Sequence, residues 1–267
     1  MTSAQSVYTR VVCGVDGSEA GIAAARVAAR VADPEGTLTI VAVDDTSIAV
    51  HAGWAMPSVL GELMQAAEAA RDEGLAAARP LHEATAKAVE GDPLRVLTME
   101  LERHDATLAV VGSHGIRRAT GIALGAVSTH LLHYAPCSVL IARGEIDGER
   151  WPRRIVVGLD GSGESASAYA AAHELAVRYG APLRAIAATQ DTHVDLEAAR
   201  RTVRELEEHG ARALDVLNVA SETADLVVVG SRGLRGVRAL GSLSERLAHE
   251  ARSPVLVVRA PAAAAAA

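Results

Sequence analysis

Residues 108–142 read LAVVGSHGIRRATGIALGAVSTHLLHYAPCSVLIA, and this stretch decides the fold. Leu108–Val111 is a short, unbroken apolar run, the pattern of a parallel strand covered on both faces. Gly112 and Gly115 interrupt it, and Arg117 and Arg118 follow. From Gly125 onward Val127, Leu131 and Tyr134 recur near one helical face, and Pro136 stops the helix. Ser138–Ala142 is a second apolar strand. A strand, a glycine loop with bare N–H groups and a helix N-terminus together make an anion site. The phosphates of a nucleotide are the obvious anion.

The stretch occurs twice. Residues 226–259 read LVVVGSRGLRGVRALGSLSERLAHEARSPVLVVR, with Gly230, Gly233, Gly241, Ser242, Ser244 and Pro254 in the same order. One glycine pattern is weak evidence, since a plain strand-to-helix turn explains it. Two in the same strand–loop–helix–Pro–strand setting mark an internal repeat.

Working outward, Arg10–Val15 and Arg154–Leu159 open the copies, each running into an Asp-Gly-Ser turn. Ser18 is an N-cap for a helix through Val31, and Ser162 or Gly163 starts its counterpart. In copy one Leu38–Val43 is a strand, Leu60–His82 a helix, Ala84–Val89 a short strand and Leu94–Glu102 a helix. Strict alternation of buried strands and helices means an α/β parallel sheet with right-handed crossovers. Asp16 and Asp160 lie 144 positions apart but Gly112 and Gly230 only 118, so copy two is 26 residues shorter. Leu38 and Leu183 are 145 apart, so the loss falls after the second strand. Val194–His209 and Arg212–Ser221 read as helical, and copy two is expected to lack its third strand or to form it poorly. The expected domains are 8–142 and 154–259, with a linker at 143–153, a frayed start at residues 1–9 and a disordered alanine tail at 260–267.

The 267-residue chain is 49% hydrophobic and has no phenylalanine, so its core must be Ala, Val and Leu. A formal net charge of -7 argues against nucleic acid as a partner. Cys13 and Cys137 read as small buried residues in a reducing compartment. There is no signal peptide and no apolar run long enough to span a membrane, so a cytoplasmic location without membrane partners is expected.

Candidate chemistry gathers where strands end. Asp16 and Asp160 stand at the carboxyl edge, where open parallel sheets bind ligands. There they can accept from ribose hydroxyls or simply complement a helix N-terminus. His114 is placed to face a phosphate and is matched by Arg232; Ser128 can donate from the first helical turn. Gly158–Ser165 nearly fits a phosphate loop, but Glu164 stands where the lysine belongs. His130 and His133 are three apart with no further ligand to complete a metal motif, and no catalytic constellation is present.

At this point the chain resembles the universal stress protein family in its tandem form. The resemblance rests on Gly-Val-Asp-Gly-Ser at 14–18, Gly-Leu-Asp-Gly-Ser at 158–162, Glu-Gly-Asp-Pro at 90–93 and the two glycine loops with their closing strands. It implies two doubly wound parallel-sheet domains of strand order 3-2-1-4-5, paired through their last strands as an intramolecular pseudo-dimer, with a homodimer left open. It also implies ATP as ligand, with Mg2+ left open, and action in stress response or signalling with slow or no hydrolysis. Nucleotide-binding members carry G-x2-G-x9-G followed by Ser or Thr. Copy one keeps Gly112, Gly115 and Gly125 at that spacing but has Ala126 for the hydroxyl. Copy two keeps Gly241-Ser242 but sets only seven residues between Gly233 and Gly241. By similarity the phosphate set is Gly112, Ser113, His114, Gly115, Arg117, Gly125, Ala126 and Ser128, and in copy two Gly230, Ser231, Arg232, Gly233, Gly241, Ser242 and Ser244. Gly14 with Asp16, and Gly158 with Asp160, meet the adenosine, and backbone at Val43 or Ala188 meets adenine. The alternative is a nucleotide-free scaffold acting through protein partners. An adenine-nucleotide hydrolase ranks third, because an acidic residue stands in its pyrophosphate loop.

Overall fold

A computed structural model describes residues 8–46, 57–115, 124–144, 146, 151–191, 194–231 and 242–259. The chain divides into two compact units, built mainly from residues 8–136 and 147–267. The first half of the chain carries β1 (Arg10–Val15), α1 (Glu19–Val31), β2 (Thr37–Asp44), α2 (Pro57–Ala78), β3 (Ala84–Glu90), α3 (Pro93–Arg103), β4 (Leu108–Gly112), α4 (Ala126–Tyr134) and β5 (Ser138–Ala142). The second carries β6 (Ile155–Gly158), α5 (Gly163–Tyr179), β7 (Leu183–Ala188), α6 (Leu196–Thr202), β8 (Glu207–His209), α7 (Ala213–Ser221), β9 (Leu226–Gly230), α8 (Leu243–Glu250) and β10 (Val255–Val258). The strand orders are β3-β2-β1-β4-β5 and β8-β7-β6-β9-β10, the 3-2-1-4-5 arrangement in each. The winding reverses between the first and fourth strands, which leaves a crevice at their carboxyl ends.

The core is aliphatic, as composition requires. Val11, Val12, Ile40, Leu108, Val110 and Leu140 are almost fully buried, each worth about 1.5–3 kcal/mol on burial. Helix α1 presents Ala24, Ala25, Val27, Ala28 and Val31 to the sheet, and such small side chains let helix and strands approach closely. That approach explains two of the repeated glycines. A β-carbon on Gly112 would lie 2.7 Å from the Ala20 carbonyl carbon, and one on Gly230 2.6 Å from the carbonyl carbon of Glu164. Cys13 and Cys137 are buried and unpaired with each other.

Copy two does form its third strand, which corrects the expected absence. Glu207–His209 pairs in parallel with β7, Ile186 opposite Glu207 and Ala188 opposite His209. Helix α6 stops at Thr202 rather than running to His209. The strand is three residues of Glu-Glu-His at a sheet edge, so it needs no apolar pattern. A bidentate Arg184–Glu207 pair at 2.7 and 2.9 Å fastens it to β7. Within the expected frayed start, Tyr8 is buried and its carbonyl accepts from the Asp33 N–H at 2.9 Å, while residues 1–7 lie outside the described residues. Ile146 and Trp151, within the expected linker, are buried as well. The alanine tail lies outside the described residues.

The β2–β3 edge carries an unfavourable pair. Asp44 and Glu90 stand opposite each other in register, and Asp44 is buried with Oδ1 lacking a hydrogen-bond partner. Burial first, then the charges of Glu90 and Asp45, hold the Asp44 carboxyl above the usual carboxylate range. A raised acid binds its proton more tightly in the fold, so its favourable contribution is lost as pH rises past the unfolded value. At neutral pH Asp44 therefore costs stability. Asp44→Asn is expected to stabilise the protein by about 1 kcal/mol at pH 7 in urea unfolding. The gain should disappear below pH 4; a gain that grew on acidification would contradict this account.

Candidate functional site

A cavity of about 500 Å³ opens at the carboxyl edge of the first unit. Its walls combine strand ends and helices: Gly14, Val15, Val41, Val43 and Val111 from the sheet, Leu63, Ala66, Ala67 and Ala70 from α2, Pro93 and Leu97 from α3. The polar groups are few. They are Asp16, Asp45, His114 and Ser128, beside the glycine loop and the start of α4. An apolar slot with a few placed polar groups is the ordinary form of a small-molecule site.

The Asp-Gly-Ser turn sets Asp16. Its Oδ1 accepts from the Ser18 N–H at 3.1 Å and the Ser18 hydroxyl at 2.5 Å, and Ser18 in turn caps α1 by accepting from the Gly21 N–H at 3.0 Å. Its Oδ2 lies against Gly115, where a β-carbon would overlap it. The Asp16 carboxylate and the glycine loop are thus one assembly, joined across 99 positions of sequence. Gly14 is needed where it stands for another reason. A β-carbon there would press on Leu97 and Val111 at 3.1 and 3.2 Å.

The loop is anchored at Ser113, whose N–H donates to the Ala142 carbonyl at 2.9 Å and whose carbonyl accepts from the Gly125 N–H at 2.8 Å. Gly125 occupies the N-cap of α4 in ordinary extended backbone, φ -70 and ψ 165, and no side chain caps the helix. The first-turn N–H groups at the cavity wall are therefore not used by a capping side chain. Among the described residues a β-carbon there would meet no atom closer than 3.5 Å. Ser128 lines the cavity but is buried, and its hydroxyl donates to the Gly112 carbonyl at 2.6 Å. That bond braces the loop against the first turn of α4.

The second unit repeats the turn. Asp160 Oδ1 accepts from the Ser162 N–H at 3.0 Å and from its hydroxyl at 2.5 Å. The Asp195 N–H donates to the Asp160 carbonyl at 2.9 Å, and the Asp195 carbonyl sits where a β-carbon on Gly161 would be. The N-terminal turn of α6 thus covers the carboxyl edge at Asp160. Ala188 and Ser231 are buried, and Gly158 packs against Leu217. Ser242 caps α8, accepting from the Glu245 N–H at 3.2 Å, with Ser244 Oγ 3.2 Å away. Arg117, Arg232, Gly233 and Gly241 lie outside the described residues.

Sequence reasoning did not mark Asp45 or the α2 wall of Leu63, Ala66, Ala67 and Ala70. The only signal was a run of small residues with helical spacing, which any core helix shows. Among the described residues no three His, Cys, Asp or Glu side chains converge as metal ligands. His130 instead meets Thr98 Oγ1 at 3.3 Å and stacks on Tyr134.

Two doubly wound units with matched Asp-Gly-Ser turns, and a crevice at the switch point of the first, define a tandem α/β protein. The chain belongs to the universal stress protein family, whose sequence profile matches residues 8–143 and 190–259. Universal stress protein Rv2005c of Mycobacterium tuberculosis is 31% identical over 93% of this chain and 96% of its own length. Universal stress protein Rv2623 of the same organism is 35% identical over 184 residues, 58% of this chain, which spans 62% of that relative's length. A universal stress protein structure from Archaeoglobus fulgidus shares the fold at a TM-score of 0.73 and 20% identity, covering 95% of this chain and 98% of that one. No described helix is long and apolar enough to cross a membrane.

Proposed function

We propose that this universal stress protein binds an adenine nucleotide in its first domain, residues 8–142, and acts in stress response or signalling with slow or no hydrolysis. The single observation that carries the reading is Gly125. Glycine is an accepted N-cap residue, and here it leaves the first turn of α4 without a capping side chain at the mouth of a cavity. A helix N-terminus left open in this way leaves room for a ligand's phosphate. The apolar slot between β2, α2 and α3 suits a purine, and Asp16 suits ribose hydroxyls. Mg2+, where it takes part, arrives with the phosphates.

The test is direct. Protein purified quickly, denatured and analysed for released nucleotide is expected to yield adenine nucleotide in up to one equivalent per chain. A further check separates ligand from fold. Gly125→Ser is expected to leave stability within a few tenths of a kcal/mol, since serine caps at least as well as glycine. The same change should weaken ATP at least tenfold by filling the phosphate position. Unchanged ATP affinity would remove the argument from Gly125.

The alternative, a nucleotide-free scaffold working through protein partners, is favoured for the second domain, residues 154–259, by Asp195 over Gly161. There the Asp195 N–H donates to the Asp160 carbonyl, the Asp195 carbonyl packs on Gly161, and Ser242 caps α8.

A further inference from the structure

Helix α2 is 22 residues long, and its two ends are held unequally. Its buried residues are Ala67, Ala70, Gly74 and Ala78, which share one stripe at helical spacing. Gly74 shows how close that contact is: a β-carbon there would lie 3.1 Å from Ile40 Cγ2 and from Val15 Cγ1. Toward the N-terminus the same stripe continues as Leu63, then Leu60 and Val59. These three are only half-buried, and no residue from Pro57 to Ala66 is buried. Leu63 instead lines the cavity, followed along the helix by Ala66, Ala67 and Ala70. Helix α2 therefore rests on the sheet by its C-terminal part, and its first turns overhang the cavity.

The local sequence does little to hold those turns. Gly61 lies inside the overhang, and a β-carbon on it would meet no atom within 4 Å, so close packing does not call for glycine. Glycine in a helix interior weakens it by about 1 kcal/mol relative to alanine. No acidic residue stands in the first turn to complement the helix N-terminus. Leucines half-buried over a cavity gain most when an apolar group fills the space beneath them. The second domain has no such overhang: its helix at this place, α6, is seven residues long and buries Ala199 near its middle.

We propose that residues 57–66 form a flap over the base of the bound nucleotide, with Leu63 as its contact residue, so that the base rather than the protein holds these turns in place. This rests on the nucleotide reading above and assigns one wall of that site. The occupant is the base because of the chemistry of the wall. Leu63, Ala66, Ala67 and Ala70 offer no side chain that could bond a phosphate or a sugar hydroxyl, and the apolar face of a purine is the part of the ligand that suits them. Binding then extends the packed stripe of α2 by the turns that the sheet does not reach, and ligand affinity and helix order rise together.

The experiment is amide hydrogen exchange on the full chain, free and saturated with ATP or with adenosine, beside calorimetric titration of wild type, Leu63→Ala and Met64→Ala. In the free protein the amides of residues 61–66 are expected to exchange about tenfold faster than those of residues 67–78, or more. ATP and adenosine should each slow residues 61–66 by about tenfold. Leu63→Ala should weaken both ligands about tenfold while the urea midpoint stays near wild type, because the protein itself covers little of that side chain. Met64 is exposed and does not line the cavity, so Met64→Ala should bind as wild type does. ATP binding that leaves exchange over residues 61–66 unchanged, slowing by ATP but not by saturating adenosine, or wild-type affinity in Leu63→Ala would each overturn the flap and leave the nucleotide reading intact. No binding of ATP or adenosine to wild type overturns both.

Discussion

Gly115→Val is expected to lower ATP affinity about 100-fold, and Gly233→Val to leave it near wild type. The first figure follows from what Gly115 touches. Any β-carbon there overlaps Asp16 Oδ2, and valine adds two methyl groups to that overlap. Asp16 must leave its place, and with it goes a charged hydrogen bond to the sugar, worth about 1.5–3 kcal/mol. The loop that presents N–H groups to phosphate is displaced at the same time, and 2.8 kcal/mol is about 100-fold. The second figure follows from the covered edge of the other domain, where Asp195 stands against Gly161. Isothermal titration on both variants decides the matter. Loss of binding in Gly233→Val with Gly115→Val intact would move the site to the second domain. No binding in any variant or in wild type would leave the scaffold reading.

Gly230→Ala should behave in the opposite way, damaging the fold and not the site. Its β-carbon would fall 2.6 Å from the Glu164 carbonyl carbon, 2.7 Å from its oxygen and 2.9 Å from the Ser165 N. These are backbone atoms in the first turn of α5 and cannot swing aside as a side chain can. The helix must lift from β9, at a cost of about 3 kcal/mol. Urea unfolding should show the second domain's transition at clearly lower denaturant, with ATP affinity of the first domain unchanged. A wild-type midpoint would mean that α5 can shift freely, against the burial of Ser165 and Ala168 beneath it. Gly112→Ala makes the matching test on the first domain, against Ala20.

These two glycines show why a shared motif does not imply a shared role. Gly112, Gly115 and Gly125 stand in one spaced series in the sequence. In the fold the first admits a helix, the second admits a carboxylate, and no described atom comes within 3.5 Å of a β-carbon on the third. Spacing along the chain cannot separate them, because what the first two admit comes from residues 90 or more positions away. Ser128 makes the same point. Its place in the first helical turn suggested a phosphate donor, and the fold turns its hydroxyl onto the Gly112 carbonyl.

What the sequence by itself determined was the architecture. Continuous apolar strands, alternating helices, the repeat and the Asp-Gly-Ser turns are local features, set by hydrophobic period and capping chemistry within a few residues. Strand β8 escaped because an exposed three-residue edge strand carries no hydrophobic period; its partner β7 and the Arg184–Glu207 pair define it. The cavity was beyond sequence for a related reason. Its walls come from β1, β2, α2, α3 and β4 together, and small apolar residues line a cavity with the same pattern by which they fill a core. Only the tertiary structure decides which of those faces meets another element and which is left open.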